Sequence, residues 1–187
     1  MEPYRPEPVT GFAATLEEVT QTPDCGPHRL LCRVYRNKRG RSRSDFLVMG
    51  PAEEPANVTW LFDALTRVMV LVDRDKGTVL QRHAFEKPKG GFLGWNSAGP
   101  FTPFPFPHQG QPRREELGTR VLEGFVAHGR LMVFGDGWHE CWVAPELPDA
   151  PLLERWRVAS GHERTTQLYA IRIGEPDPAL FSTLDTH

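Results

Sequence analysis

His139 and Cys141 stand two residues apart in the run Trp-His-Glu-Cys-Trp-Val (138–143). If that run is a strand, both side chains leave the same face, and an imidazole beside a thiolate is a ligand arrangement zinc accepts. His162 would join them if neighbouring strands pair, with Cys25, Cys32, His108 and His128 in reserve. Against this, no CxxC or HExxH spacing occurs, and a cysteine on a strand face commonly acts as a small hydrophobe. The residues therefore assign no metal and no other cofactor. Nucleophilic catalysis is no better supported: GxSxG is absent, and Ser42, Ser44 and Ser160 read as turn serines. The carboxylate pairs Glu17/Glu18 and Glu115/Glu116 are adjacent, so on strands they point to opposite faces and make poor acid–base partners. A non-enzymatic protein with no catalytic residues is expected.

The elements that must carry these residues are strands. The stretch Glu115–Val133 alternates, with Leu117, Val121, Phe125, Ala127, Leu131 and Val133 on one parity. That reads as one long strand, or two joined at Gly129, with one buried face. Gly118, Gly124 and Gly129 mark bulges, bends or close backbone approaches, as a curved sheet requires. Upstream, the run 9–20 fits a strand or a short helix, with strand favoured. A turn is expected over 22–27. Residues 29–36 and 42–49 form a hairpin, and 57–63, 66–73 and 78–85 form a meander whose last turn ends on Gly77. Residues 138–143, 153–159 and 165–173 complete the strands, and 176–181 is placed to open a short helix. The whole predicts a mainly β fold: a strongly curved antiparallel sheet or half-open barrel of about eight to eleven strands, with little helix.

Length, composition and charge bound the rest. The 187 residues, 39% of them hydrophobic, suit one domain over 1–187, with an irregular lead-in at 1–8 and a tail at 174–187. Residues 87–114 are dense in Pro, Gly and Phe and read as a long insertion, since such proline density excludes a helix interior or a central strand. A formal charge of -2 gives no reason to expect nucleic acid. No apolar run reaches the roughly 18 residues of a membrane-spanning helix. The first residues lack the basic and apolar regions of a secretory signal. Two locations stay open: periplasmic or secreted if a signal lies upstream of Met1, cytoplasmic otherwise. Cys25 and Cys32 are close enough in sequence to bridge the 22–27 turn, leaving Cys141 as a thiol; an odd cysteine count fits a reducing compartment as well.

Four segments resemble, in order, the landmarks of a family of uncharacterised exported bacterial proteins: EELGTRVLEGFVAHG, CWVAPEL, ERWRVASGHERTTQLYAIRI and EPDPALF. VYRNKRGRSRSD and TWLFDALTRVMVLVDRDKGTVL resemble its N-terminal half more loosely. In outline that family is similar to outer-membrane lipoprotein-sorting and lipoprotein-carrier proteins, and to periplasmic regulators of an envelope-stress sigma factor. The resemblance implies a half-open antiparallel barrel that holds an acyl chain in its concave face, an envelope role, and no catalytic residues to transfer.

On that expectation Phe62, Met69, Leu71, Leu122, Phe125, Trp142, Trp156, Leu168 and Tyr169 would face an apolar ligand such as a lipid or lipoprotein acyl chain. The alternative is an interaction or structural module with a filled core, meeting another envelope protein through the basic hairpin 29–43 or the insertion 88–112. In that hairpin Arg33, Arg36, Arg39, Arg41 and Arg43 would contact an anionic surface, although a solvated, edge-protecting role is the plainer reading.

Overall fold

The computed structural model describes residues 10–50, 52–84, 112–147, 150–158 and 160–185. Strands β1 (Phe12–Thr22), β2 (Cys25–Arg36) and β3 (Arg41–Gly50) form its first meander, and β4 (Glu54–Pro55) is a short bridge onto β3. Next come β5 (Val58–Asp63), β6 (Val68–Asp73) and β7 (Thr78–Ala84), then β8 (Arg113–Leu122), β9 (Phe125–Phe134) and β10 (Gly137–Val143). The chain ends with β11 (Leu153–Arg157), β12 (Glu163–Ile173) and a 3-10 turn, η1 (Pro178–Leu184). All described strands join one antiparallel sheet in the order β7-β6-β5-β3-β2-β1-β12-β11-β10-β9-β8, with β4 beside β3. The edges β7 and β8 do not pair, so the sheet stays open rather than closing into a barrel. The mainly β, helix-poor fold expected from sequence is the one observed.

β1 lies at the centre because its alternation is strict where it matters: Phe12, Ala14 and Leu16 are buried on one face. Their ladder partners continue that face, Val34 opposite Ala14, and Cys32 and Leu168 on either side of Leu16. These residues head the main apolar cluster. The loop after β10, with Ala144, Leu147, Ala150 and Leu152, adds Ala127, Trp142 and Leu153 to the same cluster. A smaller cluster forms on the other face, where Phe181 and Leu184 of η1 cover Leu61 and Val70. The Asp177 carboxylate caps η1 by accepting from the Ala179 N–H at 2.9 Å.

Several expectations change. The stretch 115–133 breaks at Glu123–Gly124, not at Gly129: both turn residues have positive φ (51° and 84°), and Leu122 pairs with Phe125. A two-residue turn of this kind matches the twist of the flanking strands. The break, together with a bulge between Glu116 and Gly118, destroys the single buried parity, so Leu117 and Val121 are exposed. Gly129 instead provides a close approach, since a Cβ there would lie 2.6 Å from the Trp142 ring. The expected 22–27 turn shrinks to Pro23–Asp24, with Thr22 already opposite Cys25. Cys25 and Cys32 therefore share β2, where seven residues span about 23 Å of strand. A bridge needs α-carbons within about 7 Å, so the two cannot pair, and all three cysteines are free. Of the 87–114 insertion, Arg113 and Arg114 belong to β8, and most of the rest lies outside the described residues.

Candidate functional site

The register divides one face of the sheet into an apolar half and a polar half. Ladder partners share a face, so rows of side chains can be followed from strand to strand. On the β5–β6 side, Trp60 stands opposite Leu71 and Phe62 opposite Met69. Through Ser44–Val34–Ala14 and Ser42–Arg36–Phe12 these pairs lie on the same face as Leu16. Phe46 meets Trp60 edge to face, ring centres 5.9 Å apart, the geometry that aromatic quadrupoles favour.

Across β1 the same face turns polar. One row runs Leu30, Glu18, Thr166, Glu154, Cys141, Arg130. The next runs His28, Thr20, Arg164, Trp156, His139, Met132. Four polar members of these rows are buried: His139, Glu154, Arg164 and Thr166. His139 Nε2–H donates to Glu154 Oε1 at 2.8 Å, and its ring stacks on Trp156 with centroids 3.8 Å apart. The Arg164 guanidinium lies 5.4 Å from the Trp156 ring centre. Thr166 Oγ1–H donates to Glu18 Oε2 at 3.3 Å. Burial raises the Glu18 carboxyl above the ordinary glutamate range, with Arg164 pulling in the other direction.

Candidate ligand atoms of His139, Cys141 and Glu154 lie within 4.8 Å of one another. The same trio could be read as nucleophile, base and orienting acid. Cysteine catalysis needs a thiolate near neutral pH, whereas burial, reinforced by the Glu154 charge, pushes the Cys141 thiol up to about 12. His162 stays apart, held in the 160–162 turn by Ser160 at 2.6 Å.

The nine residues expected at an apolar site do not share one face. Phe62, Met69, Leu71, Trp156 and Leu168 lie on the face of Leu16. Leu122, Phe125, Trp142 and Tyr169 lie on the other. There Trp142 covers Gly129, donates from Nε1 to Glu140 at 2.5 Å, and carries Arg120 4.0 Å above its ring. The basic hairpin is divided as well. Arg41 ion-pairs with Asp63 and Asp185, and Arg43 pairs with Asp45 and donates to Leu180 O, so both tie η1 to the sheet. Arg36 is half-buried, while Arg33 and Arg39 remain exposed. Glu154 escaped the sequence reading. Its signal is its ladder position opposite Cys141, which depends on a register set across the 144–152 loop.

Solved structures share this architecture at low identity. An uncharacterised conserved protein from Thermus thermophilus matches with a TM-score of 0.55 and 13% identity, over 92% of this chain and 84% of that one. A structure of the Pseudomonas aeruginosa MucA/MucB complex matches with a TM-score of 0.52 and 12% identity, over 92% of this chain and 55% of that one. The chain thus spans about half the length of that relative. A LolA superfamily protein from Nitrosomonas europaea matches with a TM-score of 0.48 and 11% identity, over 95% of this chain and 91% of that one. What the first two share with this chain is the fold. No family model and no curated protein matches the sequence.

Proposed function

We propose that the protein is a non-enzymatic binding module that holds an acyl chain or a similar apolar ligand against the β5–β6 half of the Leu16 face. The observation that carries this reading is the state of Trp60, Phe62 and Leu71: only half-buried, on the face opposite η1. Trp60, Phe62, Met69 and Leu71 form the apolar centre of two rows flanked by Ser44 and Gln81 and by Ser42 and His83, an apolar lining with a polar rim as ligand sites have. The high Cys141 pKa further argues against covalent catalysis.

Native mass spectrometry of the purified protein, before and after delipidation, tests the proposal. Expected is an apolar adduct that delipidation removes and an added long-chain fatty acid restores. A protein that carries no adduct and takes up none would contradict it.

A protein partner is the second reading, favoured by the exposed apolar tip of the β8–β9 hairpin. Val121 and Val126 face each other there at 69% and 53% exposure. The solved MucA/MucB structure is a complex of two proteins on a related fold. Both readings suit an envelope location, and no helix among the described residues is long and apolar enough to cross a membrane. Exposed Arg33 and Arg39 would then be the part of the basic hairpin open to an anionic surface.

A further inference from the structure

We infer that His139, Cys141 and Glu154 form a binding site for one zinc-class divalent cation, independent of the apolar half of the face. The three residues offer nitrogen, sulfur and oxygen, the donor set that zinc accepts. They are placed by regular structure rather than by a loop. His139 and Cys141 leave the same side of β10 two residues apart, and Glu154 stands opposite Cys141 on β11. Their ligand atoms already lie within 4.8 Å of one another. Bond lengths of about 2.0–2.3 Å in a tetrahedral site put ligands about 3.3–3.8 Å apart, so closure needs side-chain adjustments of about an ångström.

His139 is only 7% exposed, and its Nε2 faces Glu154 Oε1 at 2.8 Å, so a cation shared by the two replaces that hydrogen bond. The Trp156 ring stacked on the imidazole fixes its plane, the kind of support that keeps a metal ligand in position. The binding step balances simply. Zn²⁺ bonds to Cys141 Sγ, whose S–H bond breaks and whose proton leaves to solvent, and to His139 Nε2, whose proton passes to Nδ1 as the hydrogen bond to Glu154 is replaced. Three protein donors leave a fourth tetrahedral position for water or a donor from a bound partner.

Titration of the full-length, metal-stripped protein with Co²⁺ tests this. One equivalent should produce thiolate-to-cobalt charge transfer in the near ultraviolet together with tetrahedral d–d bands, and Zn²⁺ should abolish both. Cys141→Ser should remove the charge-transfer band, His139→Gln should weaken binding at least tenfold, and Cys25→Ser should change neither. Absence of the band in wild-type protein overturns the inference, as does a band that survives Cys141→Ser and disappears with Cys25→Ser. If the Cys141 or His139 variants fail to fold, X-ray absorption on zinc-loaded wild-type protein decides. One sulfur with nitrogen and oxygen in the first shell supports the site; a shell of oxygens alone rejects it.

Discussion

Strands β5 and β10 each lie three places from β1, on opposite sides of the sheet, and present the same face. β5 puts Trp60 and Phe62 there, and β10 puts His139 and Cys141. Equivalent positions in one fold thus carry opposite chemistry. The difference shows in how each half is supported from behind. β5 rests on a second apolar cluster under η1, and Trp60 and Phe62 on its other side are half-buried. β10 rests on Trp142 pressed over Gly129, and its His139 reaches Glu154 on β11. A face that was only core would not need this division.

The largest expected effect falls on the strand the two halves share. Leu16→Ala removes a side chain 1% exposed between Cys32 and Leu168, and should destabilise by about 2–5 kcal/mol in urea unfolding. Loss of both the proposed apolar-ligand binding and the proposed cation binding should follow, since both halves hang on β1. A smaller loss would mean that the halves are joined elsewhere.

On the polar side, Glu154→Ala leaves a buried imidazole N–H without its acceptor, which should cost about 1–3 kcal/mol. Gly129→Ala forces a methyl against the Trp142 ring and should cost about 1–3 kcal/mol, with a change in tryptophan fluorescence as the ring moves. If the fluorescence stays constant, Trp142 does not depend on that contact.

Much of the fold was legible because it rests on local rules. The hairpin 29–49 and the meander from Val58 to Ala84 follow from alternation and from turns such as the one ending at Gly77, whose φ is 62°. The Glu123–Gly124 turn was not legible, since a glutamate at positive φ lacks the short polar side chain that normally announces such a turn. Nor was the division of the nine apolar candidates between two faces. Leu168 and Tyr169 are neighbours and so leave opposite faces of β12, but Leu122, Phe125 and Trp142 are assigned only by the β8–β9–β10 register, and a one-residue slip reverses a whole strand. The polar trio was half visible: His139 and Cys141 share a strand, but Glu154 enters only through the β10–β11 register.

Glu18, in the polar half, makes stability depend on pH. An acid whose folded-state pKa is raised favours the fold most when neutral. Its contribution is full below the ordinary value near 4.5 and is lost as pH rises through the raised folded-state value. Unfolding midpoints should therefore decline over that window in wild-type protein and stay flatter in Glu18→Gln. An identical slope in both would show that Glu18 does not titrate with folding.

The smallest effect is expected behind the apolar half. Asp185→Ala should cost at most about 1 kcal/mol, since its pair with Arg41 is largely exposed. Hydrogen exchange should nonetheless quicken over Pro178–Leu184. Unchanged exchange would mean that Phe181 and Leu184 alone hold η1.

Binding of a fluorescent long-chain fatty acid, compared between Leu71→Asp and Cys141→Ser proteins of verified fold, bears most directly on the divided face. A charge beside Trp60 should weaken fatty-acid binding at least tenfold, while Cys141→Ser leaves it within twofold of wild type. Equal binding by wild-type and Leu71→Asp protein, or equal losses in the two variants, would contradict the account.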